Sequence, residues 1–191
     1  LDTLASLAAA AAGGSPPATS DLLARVWPDA YRIAWSVLGE RTAAEDAAQE
    51  ACARLWTSIA TLRQPDAFAG WFYRIVVNEA KRRRRTLQRT ASLDATAAPD
   101  AGAPPEDRID LVRALQALDP SLRVATVLRY YYDFNGNEIA RIVGASPVTV
   151  RWRLFLARRR LRAMLGLSAT SSSGLATNRI GAYADEPQSI R

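Results

Sequence analysis

The chain has 191 residues, with 25 Lys and Arg against 19 Asp and Glu, a net charge of +6, no histidine and a single cysteine, Cys52. This composition excludes an intramolecular disulfide, a zinc site of the usual Cys/His type and any reaction that relies on a histidine base. The positive balance favours a polyanionic partner, and the length suits one or two small domains with a real core.

From the N-terminus, Leu1 to Gly14 is an alanine-rich apolar run, but Asp2 precedes it and no positive segment does, so it is not read as a secretory signal. No stretch approaches the roughly 18 uncharged apolar residues of a membrane span, and no membrane insertion is expected. Together with Gly13-Gly-Ser-Pro-Pro-Ala-Thr-Ser20, residues 1–20 read as a flexible leader. Residues 21–90 carry only helical patterns. Tyr31, Ile33, Ala34, Val37 and Leu38 outline an amphipathic helix that Gly39 ends. A second helix runs from Thr42 to about Ala60. Its acids Glu45, Asp46 and Glu50 lie near the start, where the helix dipole favours them, while Leu55, Trp56 and Ile59 supply the later apolar side. Cys52 sits on the inner side of this pattern and reads as a small buried residue rather than a redox sensor.

A loop with Pro65 leads into Phe68-Ala-Gly-Trp-Phe-Tyr-Arg-Ile-Val-Val-Asn-Glu-Ala-Lys-Arg-Arg-Arg-Arg85. This helix combines aromatics, an amide and a basic run, a mixture that suits single-stranded DNA: rings stack on bases, amides read edges, arginines hold the backbone. Trp71, Phe72 and Ile75 are equally spaced for a core, so some of these side chains are expected inside and some outside. Residues 91–107, with Pro99, Pro104, Pro105 and Gly102 among alanines and acids, read as an acidic flexible linker. Residues 108–167 are helical again. Residues 168–191, rich in Ser, Ala, Thr and Gly, read as a disordered tail. No strand pattern or internal repeat is evident, and the expected fold is all-α, with two small helical domains joined by the linker.

The second block holds the most specific motif, Asn137-Glu-Ile-Ala-Arg-Ile-Val-Gly-Ala-Ser-Pro-Val-Thr-Val-Arg-Trp-Arg-Leu154. Small Ala140 allows a close helix crossing, Gly144 supplies a turn with positive φ, and Ser146-Pro147 starts a new helix. Val150, Leu154, Ala157 and Leu161 form its anchoring stripe. Opposite lie Val148, Trp152, Phe155, Arg159 and Arg162, flanked by Arg151 and Arg158. One anchored face and one free, arginine-rich face are what a major-groove reader requires. Seven bases against one acid give +6 over Phe68 to Ser92, and the same holds over Asn137 to Gly166; one base against five acids gives −4 over Leu93 to Asp110. Two basic surfaces joined by an acidic tether suggest two contacts on one nucleic acid.

Ala44-Glu-Asp-Ala-Ala-Gln-Glu-Ala-Cys-Ala-Arg-Leu-Trp56 and Phe68 to Asn78 resemble domain 2 of the extracytoplasmic-function (ECF) sigma factors of the sigma-70 family. Leu115-Gln-Ala-Leu-Asp-Pro-Ser-Leu-Arg-Val-Ala-Thr-Val-Leu-Arg-Tyr-Tyr-Tyr132 and the helix-turn-helix resemble sigma domain 4. The resemblance covers about Ala30 to Leu165 in the family's order. It implies an alternative sigma factor that binds core RNA polymerase through its β′ and β subunits, recognises and melts promoter DNA, and has no catalytic residue, metal or cofactor. By position, Glu45, Asp46, Gln49, Glu50 and Arg54 correspond to the polymerase-binding surface. Arg63 in the loop Thr61 to Asp66, with Trp71, Asn78, Arg82 and Arg83, corresponds to the −10 reader, and Val148, Thr149, Arg151, Trp152, Phe155 and Arg158 to the −35 reader. One cysteine and no histidine suit a reducing cytosol, so the expected place is the bacterial cytoplasm, on the nucleoid when in holoenzyme. Two basic DNA faces need restraint, and the tether is long enough for the domains to rearrange around a third body, so an anti-sigma factor bound between them is expected; the alternative is self-inhibition, with domain 4 folded back on domain 2 or with residues 168–191 as a regulatory extension.

One segment and two single residues depart from the family pattern. Phe134-Asn-Gly-Asn137 alters the approach to the first helix of the motif, Trp152 replaces a small polar residue, and Leu156 replaces a base. The aromatic pair Trp152 and Phe155 fits either thymine methyls or a protein partner. A stand-alone helix-turn-helix regulator is the alternative function, but it has no need of the acidic helix or of the aromatic-basic helix before the linker. An enzyme fits poorly, since neither a glycine-rich phosphate loop nor a paired-carboxylate metal motif is present in the sequence.

Overall fold

Ser15 and Ser146 each accept a hydrogen bond from the backbone N–H three residues on, that of Ala18 and of Thr149, and each is followed by a proline in the first helical turn. Such caps satisfy amides that a helix start leaves open, and they set where two of the longest helices begin. The structure is a computed structural model describing residues 3–91 and 106–166. Among these residues there are α-helices and no strands: α1 (Leu4–Ala12), α2 (Pro16–Leu38), α3 (Arg41–Ser58), α4 (Phe68–Ala91), α5 (Glu106–Gln116), α6 (Pro120–Tyr130), α7 (Gly136–Val143) and α8 (Pro147–Met164). Two 3-10 turns, Ile59–Thr61 and Pro65–Ala67, join α3 to α4. The fold is all-α, as the patterns indicate.

The stretch expected as a flexible leader is helical instead. Thr3 caps α1 through its hydroxyl, and Ala8 and Ala11 are buried against the rest of the molecule. The expected linker falls mostly on residues 92–105 and the expected tail wholly on residues beyond 166, outside the described residues. The linker's edges lie within helices, because α4 runs on to Ala91 and α5 starts at Glu106.

Alanines decide how closely the first four helices approach. On α3, Ala44, Ala47, Ala48, Ala51 and Leu55 are buried at helical spacing, so α2 and α4 can pack close to its backbone. Phe68, Phe72, Val76 and Ala80 recur every four residues on the inner face of α4, with the Phe68 and Phe72 rings stacked 5.7 Å apart. Trp56, expected on the apolar side of α3, is 52% exposed, because it follows buried Leu55 by one residue and points 100° away. Pro28 lies inside α2, yet it and Ala24, whose carbonyl loses its helical partner, are both exposed, so water can take that bond.

The two blocks do not keep separate cores. Val124, Ala125, Leu128, Ile139, Ala140, Ile142, Val143 and Val150 belong to the same buried cluster as the side chains of α1 to α4. A small second cluster of Leu118, Leu122 and Ala157 fastens α6 to α8. The helix-turn-helix is therefore docked on the first block, with α6 against α2 and α7 against α4.

Candidate nucleic-acid and protein interfaces

The helix-turn-helix is built by its caps. Asn135 accepts from the Asn137 and Glu138 amides at 3.0 Å, while Glu138 accepts from the Asn135 amide at 2.7 Å. This capping box keeps α7 well started despite the departure at Phe134 to Asn137. Gly144 adopts φ 64°, and its N–H returns to the Ala140 carbonyl, so the chain turns sharply into Ser146 and α8. Val150 and Ala157 are buried and Leu154 and Leu161 half-buried, which holds one face of α8 down. The opposite face stands free: Val148 is 64%, Trp152 61% and Phe155 50% exposed, and the two rings stack 5.9 Å apart. Arg151 and Arg158 are exposed beside them. Thr149 is half-buried and tied to the cap, its hydroxyl 2.8 Å from that of Ser146.

On the first block, the acids of α3 and the arginines of α4 meet along one seam. Glu79, only 6% exposed at its side chain, holds Arg54 Nε at 2.7 Å and Arg82 Nε at 3.0 Å. Arg82 also reaches Glu50 at 3.5 Å through Nη2, Arg54 lies 3.9 Å from Glu50, and Arg83 pairs with Asp46. Glu45 pairs instead with Arg41, one turn back along α3, and Gln49 is exposed. The sequence-derived polymerase set and part of the −10 set are thus neighbours rather than separate surfaces. Glu79 was missed, although a lone acid inside a basic run is itself a signal of a local partner.

The remaining −10 candidates divide. Asn78 and Arg63 are exposed, and Trp71, Asn78 and Arg82 share a face of α4 at spacings of seven and four. Trp71 is half-buried, packed on the core with Phe68 6.1 Å away, while Phe72 is wholly buried and cannot stack on a base. Cys52 is half-buried, and burial pushes its thiol up to about 11, in keeping with an inert packing residue.

A polar cluster fastens the blocks together. Asp29 of α2 accepts from Tyr73 of α4 at 2.9 Å, from Tyr132 at 3.0 Å and from Arg32 at 2.9 Å. Arg32 also donates to the Tyr132 oxygen at 3.1 Å and lies over the Tyr131 ring at 4.4 Å. Burial raises both tyrosine hydroxyls, with the Asp29 carboxylate adding to it, so they stay protonated donors. Nearby, Lys81 donates to the Val143 carbonyl at the end of α7, and burial beside Arg153 and Arg85 pulls its ammonium down. Arg123 of α6 is nearly buried against Gly39 at the end of α2. Its Nη2 donates to the Leu118 carbonyl at 3.1 Å, and its Nε and Nη1 have no hydrogen-bond partner.

Residues 22–90 match the family Sigma-70 region 2, and residues 108–161 match Sigma-70, region 4. The RNA polymerase sigma factor SigV of Bacillus subtilis is 31% identical over 140 residues, 72% of this chain and 84% of SigV. The ECF RNA polymerase sigma factor SigM of Mycobacterium tuberculosis is 32% identical over 165 residues, 85% of this chain and 84% of SigM. Among solved structures, the sigma factor RpoE of Bartonella quintana, in complex with the anti-sigma factor NepR, superposes with a TM-score of 0.71 at 24% identity, over 78% of this chain and 98% of that one. CnrH, in complex with the cytosolic domain of CnrY, superposes at 0.62 with 27% identity, over 88% of this chain and all of that one.

Proposed function

Since the chain belongs to the extracytoplasmic-function sigma factors of the sigma-70 family, we propose the following division of labour between its two blocks. The protein is a transcription initiation factor, a specificity subunit of bacterial RNA polymerase and not an enzyme. Residues 21–90 bind core polymerase through the α3 face of Glu45, Asp46, Gln49, Glu50 and Arg54, and read the −10 strand with Arg63, Trp71, Asn78, Arg82 and Arg83. Residues 108–167 read the −35 element through α8, where Val148, Thr149, Arg151, Trp152, Phe155 and Arg158 face or flank the groove. Its place of work is the bacterial cytoplasm, on the nucleoid when it is part of holoenzyme. The observation that carries the reading is the free face of α8, two exposed stacked rings flanked by exposed arginines on a helix whose other face is anchored.

Promoter binding must part the blocks. Elements centred about 25 base pairs apart lie about 85 Å apart along a duplex at roughly 3.4 Å per pair. In the docked form α4 touches α7, so the two readers cannot occupy both elements at once. An anti-sigma protein that holds the docked form is the natural restraint. The exposed Trp152 and Phe155 offer it an apolar anchor, and the complex of CnrH with the CnrY cytosolic domain supports a protein partner of this kind.

Core polymerase mixed with the full chain tests the assignment. The double charge reversal Asp46→Lys and Glu50→Lys is expected to abolish co-elution with core while the variant still binds duplex DNA through α8. Assembly of holoenzyme by that variant, with promoter-dependent transcription intact, contradicts the α3 assignment.

A further inference from the structure

Arg123 is 5% exposed, yet most of its guanidinium has nothing to hold. Nη2 donates to the Leu118 carbonyl at 3.1 Å, while Nε and Nη1 lie buried with no hydrogen-bond partner among the described residues. Asp119, whose carboxylate acts on it, is paired with Arg160. The first block closes over the rest of the group. Nη1 sits against Gly39, the Trp35 ring lies 5.7 Å from the guanidinium carbon, and Arg84 of α4 adds a like charge. Burial, with Arg84 beside it, pulls the guanidinium below its ordinary value, against a smaller opposite pull from Asp119.

The contacts of Arg123 divide by block. Leu118 and Arg123 belong to the same half of the chain, so their bond exists whether or not the halves are docked, and it does not bear on docking. Trp35, Gly39 and Arg84 belong to the other half. Closing them over Arg123 strips water from Nε and Nη1 and returns no acceptor. A buried donor left without an acceptor loses more than an average hydrogen bond yields, and a charged donor loses most. A lysine in this place could shed its proton; an arginine keeps its charge. The Trp35 ring and the carbonyl end of α2 offset part of the loss, since both attract cations. The ring contact, however, is near the outer limit of about 6 Å for such an attraction, and Arg84 opposes it.

We propose that Arg123 is a built-in opening force: the docked form must bury a cation that it does not pair, which keeps the two blocks close to parting. This concerns the docking equilibrium and holds whichever surfaces the parted blocks then use. It also fixes the sign of two substitutions. Arg123→Met keeps an unbranched side chain in the same space and removes the charge, and replacing a buried unpaired ion by an apolar group favours the state that buries it. Arg84→Glu leaves α6 untouched and gives Arg123 the partner it lacks.

The test uses the full chain with Cys52→Ser, carrying a donor and an acceptor dye at Thr57→Cys on α3 and Arg159→Cys on α8, both exposed positions. Energy transfer is followed over a urea series, with helicity followed in parallel. The urea midpoint for loss of transfer measures how firmly the blocks hold. Arg123→Met and Arg84→Glu are each expected to raise the docked-to-open ratio about tenfold and to move that midpoint upward. If Arg123 instead serves to hold the docked form, Arg123→Met lowers the midpoint, and that result overturns the proposal. A midpoint that Arg84→Glu leaves unchanged or lowers overturns it as well, and this second variant stays informative if Arg123→Met loses helicity before the blocks part.

Discussion

Arg151 and Trp152 show what a single side chain on α8 is placed to do. Both are exposed on a helix whose next residues, Arg153 and Leu154, already turn back toward the body. Arg151→Ala removes nothing from the core, so stability is expected to stay the same while affinity for a −35 duplex falls. The loss should be about 1–3 kcal/mol if the guanidinium reads a base edge and less if it meets only phosphate. A titration of promoter duplex with the variant holoenzyme, repeated at two salt concentrations, separates the two. Unchanged affinity and salt slope contradict the placement. At this scale the sequence is legible where a cap or a turn speaks for itself, as at Gly144 and Ser146. It is not legible where the partner is remote: the buried carboxylate of Glu79 depends on Arg54, which lies 25 positions earlier on another helix.

α1 is the element that sequence patterns mislead about most. The Ser15-Pro16 pair that starts α2 carries the same signal as Ser146-Pro147, but the flanking glycines and a run of alanines hide it. Alanine has the highest helix propensity, and a run of it lacks the contrast between polar and apolar faces from which burial is read. In the structure α1 lies against α2 and against both 3-10 turns, so it backs the loop that contains Arg63. A nine-residue helix is not stable alone, and its order depends on that docking. Ala8→Glu puts a carboxylate into a fully buried position and is expected to undock α1 at a cost of about 2 kcal/mol, without unfolding α2 to α4. Hydrogen exchange should then show lost protection over residues 4–12 and 59–67 alone. Protection retained over 59–67 contradicts the backing role.

For the whole molecule, the question is what keeps two positively charged blocks together. Apolar burial through Val124, Leu128, Ile139 and Val150 favours docking, and the Asp29 cluster gives it direction. Against them stands like charge, since Lys81 faces Arg153 and Arg123 faces Arg84. Replacing Tyr132 by Phe keeps its ring contact with Tyr73 at 4.9 Å but removes two hydrogen bonds that cross between the blocks, one donated to Asp29 and one accepted from Arg32, weakening docking by about 1–3 kcal/mol. Small-angle scattering is expected to show a larger mean radius for this variant. The increase should be greatest at low salt, where the screening length exceeds the roughly 10 Å found at 0.1 M. An unchanged radius at low salt contradicts this balance. The residues that make the docking were not legible in advance. Periodicity identifies which face of each helix is apolar, and so the all-α fold with its helix-turn-helix could be read. Tyr132 and Asp29 are 103 residues apart, and no local rule pairs them; the two domains could be read from the sequence, but not the contacts that dock one on the other.

Gly39 joins these scales at one point. It ends α2 with φ 75°, and a β-carbon there would stand 2.7 Å from Nη1 of Arg123, in the other half of the chain. To a geneticist the two codons would behave as one locus. A side chain gained at position 39 displaces the guanidinium and loosens the docked form, so its phenotype is release from restraint rather than loss of DNA reading. Compensating changes are then expected at position 123, where a shorter side chain returns the space.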